Sequence, residues 1–292
     1  MSGTIEGVVA VDGKTLGRSF DPAVKKGAVH MVSAWSSAQR LVLGARSVAE
    51  KSNEITAIPE LLDLLAIKGA IVTIDAPRGK AAQVSGLQAR LARRGCQRKI
   101  AAKITDKGAD YVFGLKGNQG TLRKDIELLF NGQMANSFQD IAVSKALETD
   151  AGHGRIEPRE VFATDDIGWL NERHDWPGLT SIAMVLSTRE TSQSIATERR
   201  VYISSLPADA AKLAAAIRAH WGVENGLHWV LDVNFRDDDC RIRKKNAPAN
   251  FTAVKRATLN PLRKAPGKDN LKYKRLNAGW DENYLAKIFQ NL

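Results

Sequence analysis

The segment AIVTIDA, residues 70–76, is an apolar run with one acidic residue, Asp75, near its end. Such a run predicts a β-strand that is buried on both faces and joined to its neighbour through a helix. The preceding residues 52–69, SNEITAIPELLDLLAIKG, begin with a Ser-Asn cap signal, repeat apolar residues at helical spacing and end at Gly69, which predicts a helix. After Asp75, a basic helical stretch leads to DYVFGLK, residues 110–116, a further predicted strand. The alternation predicts an α/β fold with a mixed sheet and flanking helices.

The sequence on either side of this centre extends the pattern. GVVAVD at 7–12, HMVSAW at 30–35 and RLVLGARSV at 40–48 predict a three-stranded meander. Residues 119–207 contain a helix around TLRKDIELLF and then polar β-like segments, and helical periodicity returns from Ala208. We therefore predict residues 1–118 as the first part of a core, 119–207 as a β-rich insertion subdomain and 208–292 as the helical remainder of the core. Residues 77–94 are predicted as an extra segment within the first part.

Composition restricts the class of protein. Lys and Arg number 43 against 32 Asp and Glu, which gives a net charge of +11 and is typical of proteins that bind polyphosphates. The two cysteines, Cys96 and Cys240, are too few for a disulfide framework or a multi-cysteine zinc site. No apolar run approaches about 18 residues and the start of the chain lacks a signal-peptide pattern. We expect a cytoplasmic protein that neither spans a membrane nor is secreted.

Three carboxylates are placed as catalysis would require. Asp12 is predicted to end the first strand, Asp75 to end the fourth, and Glu224 to lie on the long helix after the insertion. Ligands of α/β sheets collect at the carboxyl ends of strands. This order of elements matches an RNase H-like core. Three hard oxygen ligands suit Mg²⁺ or Mn²⁺, and a pair of such ions is suited to in-line displacement at phosphorus.

Two histidines on the same helix allow a different metal site. His220, Glu224 and His228 recur at four-residue spacing and would share one broad face of a helix, which makes a zinc site an alternative. Three ligands on one straight helix span two turns, however, and cannot all approach one ion at about 2.1 Å. We therefore expect the histidines to flank Glu224, orienting it or contacting DNA. Trp221 and Trp229 are predicted to be core residues.

Several polar and basic residues are predicted to bind DNA. Residues 241–264 contain no acidic residue, and an all-basic run of this kind favours contact with phosphates. Its predicted contacts are Arg241, Arg243, Lys244, Lys245, Lys255 and Arg256. Further predicted contacts are His220 on the helix, Lys116, Asn118 and Gln119 after a strand of the core, and His153 and Arg155 in the insertion.

Long motifs, in order along the chain, resemble one family. They include DGKTLGRSFD at 12–21, VTIDA at 72–76, GADYVFGLKGNQGTL at 108–122, HGRIEPR at 153–159 and RAHWGVENGLHWVLDVNFRDDDCRIR at 218–243. These strings are similar to the insertion-sequence transposases of the ISAs type, also called H-repeat-associated proteins. The resemblance implies a DDE transposase with Asp12, Asp75 and Glu224 as its metal-binding triad. It also implies double-stranded DNA, at element ends and target, as partner and a homodimer in a synaptic complex.

The chain also departs from the family pattern. Members carry a helical region ahead of the DGKT motif and run from the DA motif to GCQ almost without a gap, whereas residues 77–94 intervene here. Pro261 is expected to kink its helix or end it near Asn260. These departures predict a truncated or decayed copy, with residues 77–94 projecting from the core. A catalytically inactive DNA-binding remnant and a metal-dependent nuclease remain alternatives.

Overall fold

The computed structural model describes residues 5–20, 27–48, 54–75, 87–116, 120–152, 155–190 and 194–290. The chain divides into two compact units. Unit 1 comprises Met1–Val9 and Ala66–His220, and unit 2 comprises Ala10–Leu65 and Trp221–Leu292. The predicted division of the chain near residues 118 and 207 stays a prediction.

Three consecutive strands open the chain, and helices and strands then alternate as far as residue 135. The strands are β1 (Val8–Thr15), β2 (His30–Ser36), β3 (Leu41–Val48), β4 (Ile71–Ile74), β5 (Asp110–Leu115), β6 (Ser144–Gly152), β7 (Arg155–Thr164), β8 (Ser181–Glu190) and β9 (Ile195–Ser204). The helices are α1 (Glu54–Asp63), α2 (Leu87–Asp106), α3 (Gly120–Ala135), α4 (Gly168–His174), α5 (Ala210–His220), α6 (Trp229–Phe235), α7 (Ala247–Lys264), α8 (Leu271–Trp280) and α9 (Glu282–Gln290). A π-helical turn, Glu224–His228, directly precedes α6. The predicted α/β class is confirmed.

In unit 1 the strands lie in the order β4-β5-β9-β8-β7-β6. β4 and β5 are parallel, whereas β5 pairs antiparallel with β9 and the strands beyond it are antiparallel to one another. A parallel pair needs a crossover connection, which α2 supplies. The mixed sheet is therefore confirmed, and β9 carries it from β5 into the polar strands of the predicted insertion. α5 packs Leu213, Ala214 and Ile217 into an apolar cluster with Val161 and Val185.

In unit 2 the strands lie in the order β3-β2-β1, and β2 and β3 are antiparallel with Met31 opposite Ser47. Trp35 on β2 is almost completely buried. Its cluster also contains Ala10 of β1, Val223 and Leu227 near the π-helical turn, Val230 and Leu231 of α6, and Leu259 of α7. One core thus holds the strand that carries Asp12 against the turn that carries Glu224.

The helix that contains Pro261 does not end near Asn260. α7 continues through Pro261 to Lys264, and both Pro261 and Leu262 are buried. A proline inside a helix removes one backbone hydrogen bond. The side-chain amide of Asn260 holds this part of α7 to β3, accepting from the N–H of Val42 at 2.9 Å and donating to its carbonyl at 2.7 Å. Tertiary packing therefore outweighs the local preference to end the helix.

Residues 87–94 belong to a regular element. α2 begins at Leu87 and continues without interruption to Asp106, so the helix predicted within residues 77–94 is present from Leu87 on. Residues 87–94 form the first turns of the helix that leads to β5, and the projection of residues 77–94 from the core stays a prediction. Residues 77–86 lie outside the described residues. Within the described ranges, none of the helices has both the length and the apolar composition needed to cross a membrane.

Candidate active site

Two of the three predicted carboxylates lie close together in unit 2. Asp12 is on β1 and Glu224 opens the π-helical turn. One ligand atom from each, together with one from His228, lie within 4.8 Å of one another. The predicted position of Asp12 at the end of its strand is wrong, because β1 continues through Gly13 and Lys14 to Thr15. Asp12 therefore lies inside the strand, three residues before its end.

His228 completes this cluster. Its Nδ1 atom lies 3.1 Å from Oε2 of Glu224 and 3.5 Å from Oδ2 of Asp12. The ring is buried, and its Nε2 atom has no hydrogen-bond partner within the described part of the chain. Of the two histidines expected to flank Glu224, His228 does so, and for His220 the expectation stays a prediction. The metal-ligand group found among the described residues contains Asp12 and not His220, which gives no support to a zinc site on one helix face.

Close packing on Trp35 fixes the π-helical turn. A Cβ on Gly226 would lie 2.7 Å from Cζ2 of Trp35, so glycine permits the turn to approach the ring. Arg263 of α7 donates to the carbonyl of Gly226 and places its guanidinium 4.7 Å from the centroid of the Trp35 ring. Burial lowers the pKa of Arg263 to about 10. The turn that carries Glu224 and His228 is thus packed between β2 and α7.

Ion pairs join β1, and Arg18 just after it, to α6 and to Asp238 and Asp239, which follow α6. Lys14, two residues after Asp12, pairs with Asp232 of α6, and its Nζ lies 3.4 Å from Oδ1 of Asp238. Arg18 pairs with Asp239 at 3.3 Å. Burial raises the pKa of Asp232, and the hydrogen bond from Lys14 acts against that shift. These partners were missed from the sequence, although consecutive acids directly before a basic run were the available signal.

The basic run divides into buried and exposed parts. Lys255 and Arg256 are buried and pair with the fully buried Asp237, at 3.0 and 3.3 Å. The prediction that these two residues contact DNA phosphates is wrong, because their charges are committed to Asp237 inside the fold. Burial lowers the pKa of Arg256, whereas the charge of Asp237 raises it.

The first part of the basic run remains at the surface. Arg241, Lys244 and Lys245 are exposed, and the guanidinium of Arg243 lies 5.4 Å from the centroid of the Phe20 ring. The contact of these residues with DNA phosphates stays a prediction.

In unit 1, Asp75 follows β4 as expected, and its Oδ2 lies 2.8 Å from Nζ of Lys116. The sequence predicts Asp75 as a metal ligand and Lys116 as a DNA contact. In the structure the two side chains form an ion pair with each other. Nδ1 of His220 forms a hydrogen bond of 2.9 Å with Oγ1 of Thr73 on β4. Asn118, Gln119 and His153 lie outside the described residues. Arg155 begins β7, and its side chain is not among those described.

Comparison with known proteins identifies the family. A family model described as the transposase DDE domain matches residues 3–260. The chain belongs to the DDE transposases. This transposase is 40% identical over 289 residues to YhhI of Escherichia coli K12, an H repeat-associated candidate transposase. It is 38% identical over 286 residues to YncI, a candidate transposase of Escherichia coli O157:H7. The two matches each span 96% of this chain, and 71% and 68% of the relatives.

A more distant likeness concerns structure. A solved synaptic complex of piggyBac transposase with hairpin DNA is similar at a TM-score of 0.45 and 12% identity, over 96% of this chain and 53% of that one. A likeness at this level supports no inference about this transposase. The predicted family, by contrast, is confirmed by the matches of sequence.

Proposed function

We propose that this transposase cleaves DNA strands at the ends of an insertion sequence and joins them to target DNA, with a divalent metal ion as cofactor. The observation that supports this most directly is the meeting of Asp12 and Glu224 in a chain of the DDE family. An RNase H-like core with a β-rich insertion is part of the proposal. The order β3-β2-β1 in unit 2 and the parallel pair β4–β5 in unit 1 support it.

The residues present fit Mg²⁺ or Mn²⁺. Ligands of Mg²⁺ lie about 2.1 Å from the ion, so two of them are at most about 4.2 Å apart. The ligand atoms of Asp12, Glu224 and His228 lie within 4.8 Å of one another, which is close to this limit. Bound divalent ions, two in the proposed mechanism, would activate the attacking oxygen and stabilise the leaving oxygen of the phosphodiester.

The chain's own residues then have separate roles. Asp12 and Glu224 hold the metal, with Asp75 proposed as the third carboxylate from the sequence pattern. His228 donates to Glu224 and fixes the orientation of that carboxylate, because its ring is buried and cannot turn freely. Arg241, Lys244 and Lys245 bind phosphates of double-stranded DNA. A homodimer that brings two element ends together is the proposed assembly.

A cleavage assay with matched variants tests this proposal. Purified protein is incubated with a labelled element end, target DNA and Mg²⁺ or Mn²⁺, and nicked and joined products are scored. Glu224→Gln should abolish nicking yet leave DNA binding nearly intact, because it removes a ligand charge and keeps the shape. Glu60→Gln is the control, since Glu60 and Glu224 have similarly exposed side chains, 59% and 61%.

The products distinguish the alternatives. Nicks together with joined ends, lost in Glu224→Gln and kept in Glu60→Gln, would support the transposase. Binding without any nick would support an inactive DNA-binding remnant. Nicks without joined products would support a metal-dependent nuclease. Equal loss of binding and nicking in Glu224→Gln would assign that residue a structural role and overturn the proposed site.

A further inference from the structure

A chain of three hydrogen-bonded side chains lies close to Asp12 in unit 2. Thr15 of β1, His30 of β2 and Glu54 of α1 come from three separate elements. Nδ1 of His30 lies 2.8 Å from Oγ1 of Thr15, and its Nε2 lies 2.5 Å from Oε1 of Glu54. An ionised carboxylate can only accept hydrogen bonds, so Nε2 of His30 donates to Glu54. The imidazole thus links the end of β1 to the start of α1.

Gly13 allows the His30–Glu54 pair to lie against the backbone next to Asp12. Successive residues of a strand point to opposite faces of the sheet. The side chain of Asp12 faces the π-helical turn, so position 13 points to the other face. A Cβ at position 13 would overlap with Oε1 of Glu54 and lie 2.5 Å from Nε2 of His30. Glycine is therefore what lets the pair contact the main chain of β1 at this point.

The pair is shielded from solvent and held by the elements that carry it. The side chain of His30 is 23% exposed and that of Glu54 is 13% exposed. Glu54 lies in the first turn of α1, where the helix dipole stabilises a carboxylate, and α1 packs against β2 and β3. Hydrogen bonds to an ionised group are shorter and stronger than those between neutral groups. The pair therefore supports β1 firmly on the face opposite the metal ligands.

We propose that His30 and Glu54 are positioning residues that fix the carboxylate of Asp12 for metal binding. The inference rests on the proposed function for the presence of a metal ion at Asp12. The pair supports β1 at Gly13, and the imidazole holds it at Thr15, so a shift of either group moves the main chain that carries Asp12. Ligands of Mg²⁺ have to lie about 2.1 Å from the ion, which leaves little room for such a shift. His30 and Glu54 act through the backbone and are not ligands themselves.

Calorimetric titration of the full chain with Mn²⁺ tests this inference without DNA. Glu54→Ala should raise the Mn²⁺ concentration at half-saturation about tenfold, the lower end of what groups that orient metal ligands contribute. Glu54→Gln should restore most of the affinity, because its amide oxygen can accept the same hydrogen bond from His30. Glu60→Ala is the control, since Glu60 lies on the same helix and pairs with Arg46 of β3 instead.

A double substitution tests whether Gly13 and Glu54 act through one contact. Gly13→Ala alone should also weaken Mn²⁺ binding, because its methyl group has to displace the pair or β1. When Gly13→Ala is combined with Glu54→Ala, the loss of affinity should be smaller than the product of the two single losses, since both changes disturb the same contact. A loss equal to that product would mean that the two residues act independently, which would overturn the inference.

A destabilised variant separates positioning from a structural role. Asn260→Ala removes the hydrogen bonds of α7 to Val42, and it should lower the stability of unit 2 but leave the Mn²⁺ affinity of the folded protein unchanged. If Asn260→Ala loses as much Mn²⁺ affinity as Glu54→Ala, affinity follows stability and the inference is wrong.

The same measurements distinguish the inference from the proposed function. If Mn²⁺ binding responds to Glu54→Ala as expected but the protein never cleaves DNA, the proposed function fails and the positioning role stands. If the protein cleaves DNA and Glu54→Ala keeps its full Mn²⁺ affinity, the positioning role fails and the proposed function stands. A chain that binds no Mn²⁺ at all would overturn both.

Discussion

The ammonium group of Lys116, directly after β5, lies 2.8 Å from the carboxylate of Asp75, directly after β4. β4 and β5 are parallel neighbours, so residues that follow them come out at the same edge of the sheet. The pair balances the charge of Asp75 in the protein without metal. A cation that binds Asp75 has to compete with the lysine, because two positive charges at one carboxylate repel each other.

Removing this competitor should strengthen metal binding. We expect Lys116→Met to lower the Mn²⁺ concentration at half-saturation by roughly threefold, since partly exposed ion pairs contribute about 0.2–1 kcal/mol. Calorimetric titration with Mn²⁺ measures the shift. Lys124→Met on the exposed face of α3 serves as the control. Weaker Mn²⁺ binding in Lys116→Met would show that Lys116 supports the metal site instead of competing with it.

Lys14 should be needed to hold α6 against β1. Lys14→Met leaves the carboxylates of Asp232 and Asp238 without the cation between them. We expect the free energy of unfolding to fall by roughly 1–2 kcal/mol, the usual cost of losing hydrogen bonds to charged groups. Urea denaturation measures it, with Lys14→Arg as the conservative variant and Lys268→Met as the exposed control. An equal fall in the free energy of unfolding of Lys268→Met would show that the loss in Lys14→Met does not come from its ion pairs.

Gly226 should not tolerate a larger side chain. A Cβ at this position would meet the buried ring of Trp35 at 2.7 Å, so Gly226→Ala must shift the ring or the π-helical turn. Overpacking of this kind costs about 1–3 kcal/mol, and displacement of Glu224 should reduce cleavage as well. Gly132→Ala in α3 is the matched control, because nothing lies within 4 Å of its added Cβ. Thermal unfolding distinguishes the two variants. Gly132→Ala should gain stability, by roughly 0.5–1 kcal/mol, whereas Gly226→Ala should lose it.

Most regular elements near the centre of the chain were predictable, because apolar periodicity and caps are local signals. β3, β4, β5 and α1 lie within the predicted segments, whereas β1 and β2 begin in theirs and extend beyond them, to Thr15 and Ser36. β6 was not predicted, since its residues SKALETDAG alternate poorly and form a strand only by pairing with β7. Of the two effects expected of Pro261, a kink or an end near Asn260, the second is wrong, because the contacts of Asn260 with β3 are not visible in the local sequence.

The candidate site was predictable in its acids but not in their partners. Residue type and position marked Asp12 and Glu224, whereas the shared contact with His228 depends on a π-helical turn that ordinary helical periodicity does not suggest. Trp221 and Trp229 are exposed, although their apolar neighbours in the sequence favour a place in the core. Charge patterning also failed to separate Lys255 and Arg256 from Lys244, because burial against Asp237 is a long-range property.

The two parts of the basic run should therefore respond differently to substitution. Lys255→Ala leaves the buried Asp237 with one cation fewer and should lower the free energy of unfolding by about 3 kcal/mol, as expected when a buried pair is broken. Lys244→Ala should leave stability unchanged and reduce the slope of log affinity against log salt by about 1, because one phosphate contact is lost. Urea denaturation and anisotropy titrations over a series of salt concentrations measure the two quantities. A reduced salt slope in Lys255→Ala, measured under conditions where that variant is folded, would mean that the buried lysine contacts DNA. An unchanged salt slope in Lys244→Ala would mean that Lys244 does not bind a DNA phosphate.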